Sequence, residues 1–178
     1  MSSSRPSHAV FGGTRGADPG DFISGIVLAG PRYIYDIMIP DLHNYTSRSV
    51  RLTSVRMISP HRPAIQVLGV TAYPWSHITH GTAFVDEGDL GKGCPGQFAP
   101  HPVTDVVVRP HSDAGFVLYI ALILREPGRY NFGRAVITYV TGGQHHSQVY
   151  HLPNIHLRTV SRRRYPHLYQ PDTCGKNS

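Results

Sequence analysis

The sequence predicts an all-β chain, a single antiparallel β-sandwich of about eight strands. Three observations predict it. Strand-length apolar runs, alternating or continuous, recur at intervals of roughly ten residues, which is sandwich spacing. Turn formers are dense, with 18 glycines and 15 prolines among 178 residues. Charged residues make up only 16 %, with just two lysines and two glutamates, too few for amphipathic helices. A chain of this length forms one domain and buries a core without staples.

Taken in order, residues 1–20 are rich in Ser, Gly, Arg and Pro, with Ala9-Val10-Phe11 as the one apolar cluster. They read as a disordered arm. No signal peptide is visible in Met1 to Asp21, and the apolar stretch Phe22–Gly30 is brief and has no basic region directly before it. The domain is expected over residues 21–160. Arg32–Pro40 reads as a strand with Tyr33, Tyr35, Ile37 and Ile39 on one face and Ile34, Asp36 and Met38 on the other; Pro40 ends it. Asp41–Ser49 is a polar connection whose Asn44-Tyr-Thr46 is a formal glycosylation sequon, read as accidental. In Val50–Ile58, Val50 and Leu52 share a face while Val55 and Met57 fall opposite, so a bulge at Ser54 is needed to bring them together.

Pro60 and Pro63 bracket a turn before a third strand, Ala64–Tyr73. Residues 74–102 read as a long loop interrupted by a short edge strand, Thr82–Val85, and a loop of that length is expected to carry binding function. Val103–Arg109 reads as a strand. Gly115–Leu124 is apolar on both faces, which fits a central strand covered on both sides. Val117, Tyr119, Ala121 and Ile123 fall on one face, and Phe116, Leu118, Ile120, Leu122 and Leu124 on the other. Pro127-Gly128 is a turn. Arg134–Thr141 alternates, Gly142-Gly143 supplies a two-residue hairpin turn, Gln144–His151 returns, and Ile155–Val160 continues past Pro153. This last hairpin is expected at a sheet edge. The longest apolar run, Phe116–Leu124, is far short of the roughly 20 residues of a transmembrane helix.

Glu126-Pro-Gly-Arg-Tyr130 followed by Val136-Ile-Thr-Tyr139 resembles the late strands of immunoglobulin-like and fibronectin-type β-sandwiches of exported bacterial proteins, where such a turn opens a strand and a glycine hairpin closes the chain. The polar connection before Val50 and the strand beginning there resemble the early strands of the same domains. The resemblance spans residues 32–160. It implies an immunoglobulin-like sandwich, an extracytoplasmic location, and a role in binding or scaffolding; it transfers no catalytic residue.

The net charge of +6 is uneven. Arg158, Arg162, Arg163, Arg164 and Lys176 stand near the C-terminus against the single Asp172, so the basic balance is attributed largely to the stretch from Arg158 onward, which includes a basic tail over residues 161–178, rather than to a domain face. Arginines interleaved with Tyr165, His167 and Tyr169 fit an acidic protein surface, a nucleic acid or an anionic membrane. A protein partner is the first expectation, with Arg158, Arg162, Arg163, Arg164 and Tyr165 as the contact residues. Ten tyrosines against one tryptophan fit ordinary strand propensity first and a binding surface second.

Twelve histidines raise a second expectation, a domain that binds or delivers a transition-metal ion. His145 and His146 are strand neighbours and point to opposite faces. His77-Ile-Thr-His80 is the better pair, because a turn brings two imidazoles together, with Asp86, Glu87 and Asp89 close behind. No zinc signature accompanies them, and solvated histidines are the favoured reading, with no cofactor. Cys94 and Cys174 are either a disulfide tying tail to body or unpaired thiols. A remote third expectation is a cysteine transferase or hydrolase: His80-Gly-Thr82 and Gly93-Cys94 resemble part of the cysteine L,D-transpeptidase pattern, but Gly91-Lys-Gly-Cys-Pro-Gly96 lacks its serine and arginine. No nucleophile elbow, P-loop or dinucleotide fingerprint is present, so a non-enzymatic binding, scaffolding or accessory subunit is expected.

Overall fold

The computed structural model describes residues 10–12, 22–39, 42–59, 63–74, 84–89 and 101–167. These residues are nearly all β-strand. In chain order the strands are β1 (Phe11–Gly12), β2 (Phe22–Leu28), β3 (Tyr33–Ile39), β4 (His43–Asn44), β5 (Val50–Ile58), β6 (Ile65–Pro74), β7 (Phe84–Asp89), β8 (His101–Pro102), β9 (Val107–Val108), β10 (Ser112–Asp113), β11 (Phe116–Leu124), β12 (Gly128–Thr141) and β13 (Gln144–Val160). One five-stranded sheet, sheet I, runs β7-β3-β11-β6-β8; a second, sheet II, runs β2-β13-β12-β5-β9. A small third sheet joins β1, β4 and β10. Among the described residues no helix is long and apolar enough to cross a membrane.

The two large sheets share one core. Tyr35, Ile37, Leu118, Ile120 and Leu122 from sheet I and Leu52, Val55, Met57, Phe132, Ile137, Tyr150 and Ile155 from sheet II belong to a single buried cluster. β11 lies in the middle of sheet I and is buried on both faces, as its unbroken apolar run requires. On its far side Val117 and Tyr119 form a second small cluster with Met38 and the partly buried Tyr73. On the far face of β3 Asp36 and Met38 are buried as well, and Ile34 is half-buried.

Sheet II alternates instead, with bulges in β5 and β13. In β5 the expected bulge exists, with Thr53 as the extra residue: Leu52 pairs with Tyr139 and Ser54 with Thr138. The insertion lies one position before Ser54 and turns Val50, Leu52, Val55 and Met57 to the same core. Gly142 and Gly143 sit at φ 57° and 78°, the left-handed pair that a tight hairpin demands. β13 does run on past Pro153. Two extra residues bulge out between Ile155, opposite Phe132, and His151, opposite Arg134. Proline has no N–H for the ladder, and the bulge absorbs it.

Four expectations need correction. The β12–β13 hairpin is at an edge only in part: Gln144–His151 has β12 alone as its ladder partner among the described residues, but β12 is central in sheet II and the second half of β13 is covered by β2. β2 runs parallel to β13, from Phe22 beside Asn154 to Leu28 beside Val160, so the sheets are not wholly antiparallel. Val103–Arg109 is not one strand. A 3-10 turn at Val103–Asp105, closed by Val106 N–H to the Val103 carbonyl at 3.2 Å, separates β8 from β9. The arm expected over residues 1–20 is structured at residues 10–12. Phe11 is 1 % exposed and meets the Tyr139 ring edge-on at 5.3 Å. The Gln148 side chain holds this segment, accepting from Val10 N–H at 2.8 Å and Phe11 N–H at 3.0 Å and donating to the Phe11 carbonyl.

Three side chains lock the frame. The Tyr35 hydroxyl of sheet I donates to the Leu28 carbonyl at 2.8 Å and accepts from its N–H at 3.0 Å, fastening the end of β2 across the core. The Tyr130 hydroxyl donates to the Glu126 carbonyl at 2.8 Å, closing the turn before β12. Asn44 is fully buried, and its amide donates to the carbonyls of Arg48, Val108 and Arg109. An amide spent in this way cannot carry a glycan, so the sequon at Asn44 is structural.

Candidate anion-binding face

The outer face of sheet II follows from its alternation. Across β13, β12 and β5 the outward positions form rows: His145–Val140–Arg51, Ser147–Thr138–Ser54, Val149–Val136–Arg56 and His151–Arg134–Ile58. Beyond the β13 bulge, β2 flanks the sheet and the rows become Ser24–His156–Asn131 and Ile26–Arg158–Arg129. All of these positions are exposed or half-exposed, and between them Leu52, Val55, Met57, Ala135, Ile137, Tyr139 and Tyr150 are buried. At about 3.3 Å per residue the face runs roughly 35 Å along the strands.

Its electrostatics are one-sided. The strands of sheet II contain five arginines, Arg51, Arg56, Arg129, Arg134 and Arg158, all exposed, and no aspartate or glutamate. The strands of sheet I contain the reverse: Asp36, Asp86, Glu87 and Asp89, with no lysine or arginine. Charge is thus sorted by sheet, which corrects the attribution of basicity largely to the stretch from Arg158 onward. Apolar side chains lie among the arginines, Val149 at 46 % and Ile26 at 48 % exposed. The rings of Tyr130, Phe132, Tyr139 and Tyr150 all turn inward. Burial raises the Tyr130 and Tyr139 hydroxyl pKa values above the ordinary phenol, and the nearby Glu126 charge adds to the rise at Tyr130.

Of the expected contact residues, Arg158 stands on this face opposite Arg129. The chain leaves β13 in a turn closed by Arg164 N–H and Tyr165 N–H to the Ser161 carbonyl. Tyr165 is partly buried and packs against the core. Arg162 reaches the Tyr33 hydroxyl in a long 3.5 Å contact, and the Arg164 guanidinium lies 5.9 Å from the Tyr165 ring centre. Arg163 is exposed. The start of the tail is therefore anchored, and Arg164 is carried to the end of the basic face.

His77, His80, Cys94 and Cys174 lie outside the described residues, so neither the metal pair nor the disulfide is placed. Among the described residues no group of three or more His, Cys, Asp or Glu could hold a metal ion. His43 Nδ1 meets Asp113 Oδ1 at 2.8 Å, tying β4 to β10. His156 Nδ1 meets Asn131 Oδ1 at 2.7 Å on the basic face. The arginines of β5 and β12 were missed from the sequence, although the signal was present: each occupies an outward position of a strand whose alternation is legible.

No family model matches the sequence, and no curated protein matches it. Among solved structures the chain is similar to a Vibrio cholerae VesB protease, at 10 % identity and a TM-score of 0.37, over 77 % of this chain and 30 % of that one. It is also similar to a family 123 glycoside hydrolase from Clostridium perfringens, at 11 % identity and a TM-score of 0.35, over 79 % of this chain and 23 % of that one. The chain spans less than a third of either protein, and at these scores neither likeness carries an activity or a fold assignment.

Proposed function

We propose that this chain is a non-enzymatic binding module, an accessory or scaffolding domain that holds an acidic protein partner against the outer face of sheet II. The observation that carries this reading is the set of five arginines on one sheet with no carboxylate among them. A surface of one sign steers and orients a partner of the other. Apolar Val149 and Ile26 between the arginines favour a protein surface, which offers apolar contacts that a phosphate backbone does not. Inward aromatic rings weigh against single-stranded nucleic acid, whose bases need exposed rings to stack on.

The domain is read as an immunoglobulin-like sandwich. The order β3-β11-β6 follows the B-E-D arrangement of such domains, β5-β12-β13 follows C-F-G, and Tyr130 near the start of β12 bonds back to Glu126 as in a tyrosine corner.

The test is fluorescence anisotropy of labelled polyglutamate with the purified protein. Binding is expected, weakening at least tenfold as salt rises from about 0.05 to 0.5 M, because screening shortens the reach of exposed charges. The triple reversal Arg51→Glu, Arg56→Glu, Arg134→Glu is expected to abolish it. Salt-insensitive binding, or duplex DNA bound while polyglutamate is not, overturns the reading.

A further inference from the structure

At one end of the basic face β12 and β13 leave a cleft of about 420 Å³ lined by Pro127, Gly128, Arg129, Arg158, Thr159, Val160, Ser161 and Arg164. Three of its residues are arginines, and none is acidic. Arg129 and Arg158 are direct cross-strand partners, an arrangement that places like charges opposite each other and costs the sheet stability. Neither Arg129, Arg158 nor Arg164 forms an ion pair among the described residues. Three further features position them. Thr159 hydrogen-bonds the Glu126 carbonyl at 2.7 Å and the Gly128 carbonyl at 3.3 Å, fixing the cleft wall. The Arg164 N–H bonds the Ser161 carbonyl at 3.1 Å, so the chain turns back over the cleft. The partly buried Tyr165 roots that turn in the core.

We propose that this cleft is a phosphoryl-binding site: it takes the dianionic phosphate of a phosphorylated side chain carried by the acidic partner. The proposal rests on the reading of the basic face as a partner-binding surface. A single carboxylate carries one negative charge and leaves an opposed arginine pair half-compensated. A phosphate monoester carries about −1.5 to −2 at neutral pH and three acceptor oxygens, enough to engage more than one guanidinium at once. Guanidinium forks match phosphate oxygens in pairs, which is why arginines, rather than lysines, build such sites. The same charge count separates phosphate from sulfate monoesters, which carry a single negative charge with the same tetrahedral shape.

The experiment uses the full chain, with phenyl phosphate and phenyl sulfate as probes at matched ionic strength. Binding is followed by calorimetry and by the shifts of arginine Nε–H signals in NMR. Saturable phenyl phosphate binding is expected, at least tenfold tighter than phenyl sulfate, with the Arg129, Arg158 and Arg164 signals moving. Arg158→Gln and Arg129→Gln are each expected to weaken it at least tenfold, while Arg109→Gln, away from the cleft, leaves it unchanged. Circular dichroism and thermal melts establish that each variant is folded. Equal response to both esters, or shifts spread over all exposed arginines without saturation, overturns the proposal. Polyglutamate separates the two readings. If wild type binds polyglutamate in a salt-dependent way but not phenyl phosphate, only the phosphoryl site falls. If it binds phenyl phosphate but not polyglutamate, the site stands and the wider acidic-partner face falls.

Discussion

Sheet I and sheet II are built from the same kind of strand, yet their outer faces differ. In sheet I, Met38, Val117 and Tyr119 are buried on the side away from the main core, and the described strands hold carboxylates as their only charged residues. In sheet II every second residue of β5, β12 and β13 faces water, and arginine takes five of those positions. The comparison teaches that a two-sheet fold needs only one shared core, which leaves each outer face free for another purpose. One face buries a small apolar cluster of its own. The other is solvated and charged, and it is the face on which the proposed binding rests.

The comparison can be broken most sharply by stability measurements. Leu122 of β11 is fully buried, and Leu122→Ala is expected to cost about 2–5 kcal/mol in urea unfolding. Val149→Ala on the outer face of sheet II is expected to cost no more than about 0.5 kcal/mol. Near-equal losses would show that the two sheets do not divide the work as described.

The tail tests the border between frame and surface. Tyr165 is partly buried against the core, so Tyr165→Ala is expected to cost about 1–2 kcal/mol. Deletion of residues 161–178 is expected to lower the unfolding midpoint by a comparable amount. An unchanged midpoint would show that the contacts of Arg162 and Tyr165 add nothing to the frame.

The smallest effect concerns alkaline pH. Burial is the leading cause that raises the Tyr119, Tyr130 and Tyr139 hydroxyls above the ordinary value near 10, with the charge of Asp36 second at Tyr119 and that of Glu126 second at Tyr130. A group whose folded pKa lies higher than its unfolded one stabilises fully below the unfolded value and ceases to do so as pH rises through the folded one. Stability should therefore hold to about pH 10 and fall above it. Absorbance at the phenolate band should show a late-titrating set of tyrosines that shrinks in Tyr139→Phe. Titration of all tyrosines together near the ordinary value would contradict the burial.

Much of this contrast was legible in the sequence. The unbroken run Phe116–Leu124 specified a strand covered on both sides, and the change of phase within Val50–Ile58 required a bulge within one residue of where it lies. Gly142-Gly143 specified its hairpin. The charged face was not legible as a unit. Arg51 and Arg56 lie far along the chain from Arg129, Arg134 and Arg158, and only the order β13-β12-β5 unites them. β2 was passed over because its brief, glycine-containing apolar stretch was weighed only against a leader, and its parallel pairing depends on a partner far along the chain. Phe11 was hidden for the same reason: its anchor is the side chain of Gln148.

That closure between the ends has a consequence for biogenesis. Val10 and Gln148 stand 138 positions apart, and β2 waits for the last strand of the domain. Synthesis runs from the N-terminus, so Phe22–Leu28 leaves the ribosome long before β13 exists to receive it. Contacts of such long range are formed late and slowly. Throughout elongation an apolar strand with an open edge is exposed, the kind of segment that chaperones hold and that aggregates when they do not. A ribosome-bound chain halted before Gln144 should therefore be protease-sensitive at β2, and become resistant there only once Val160 has emerged.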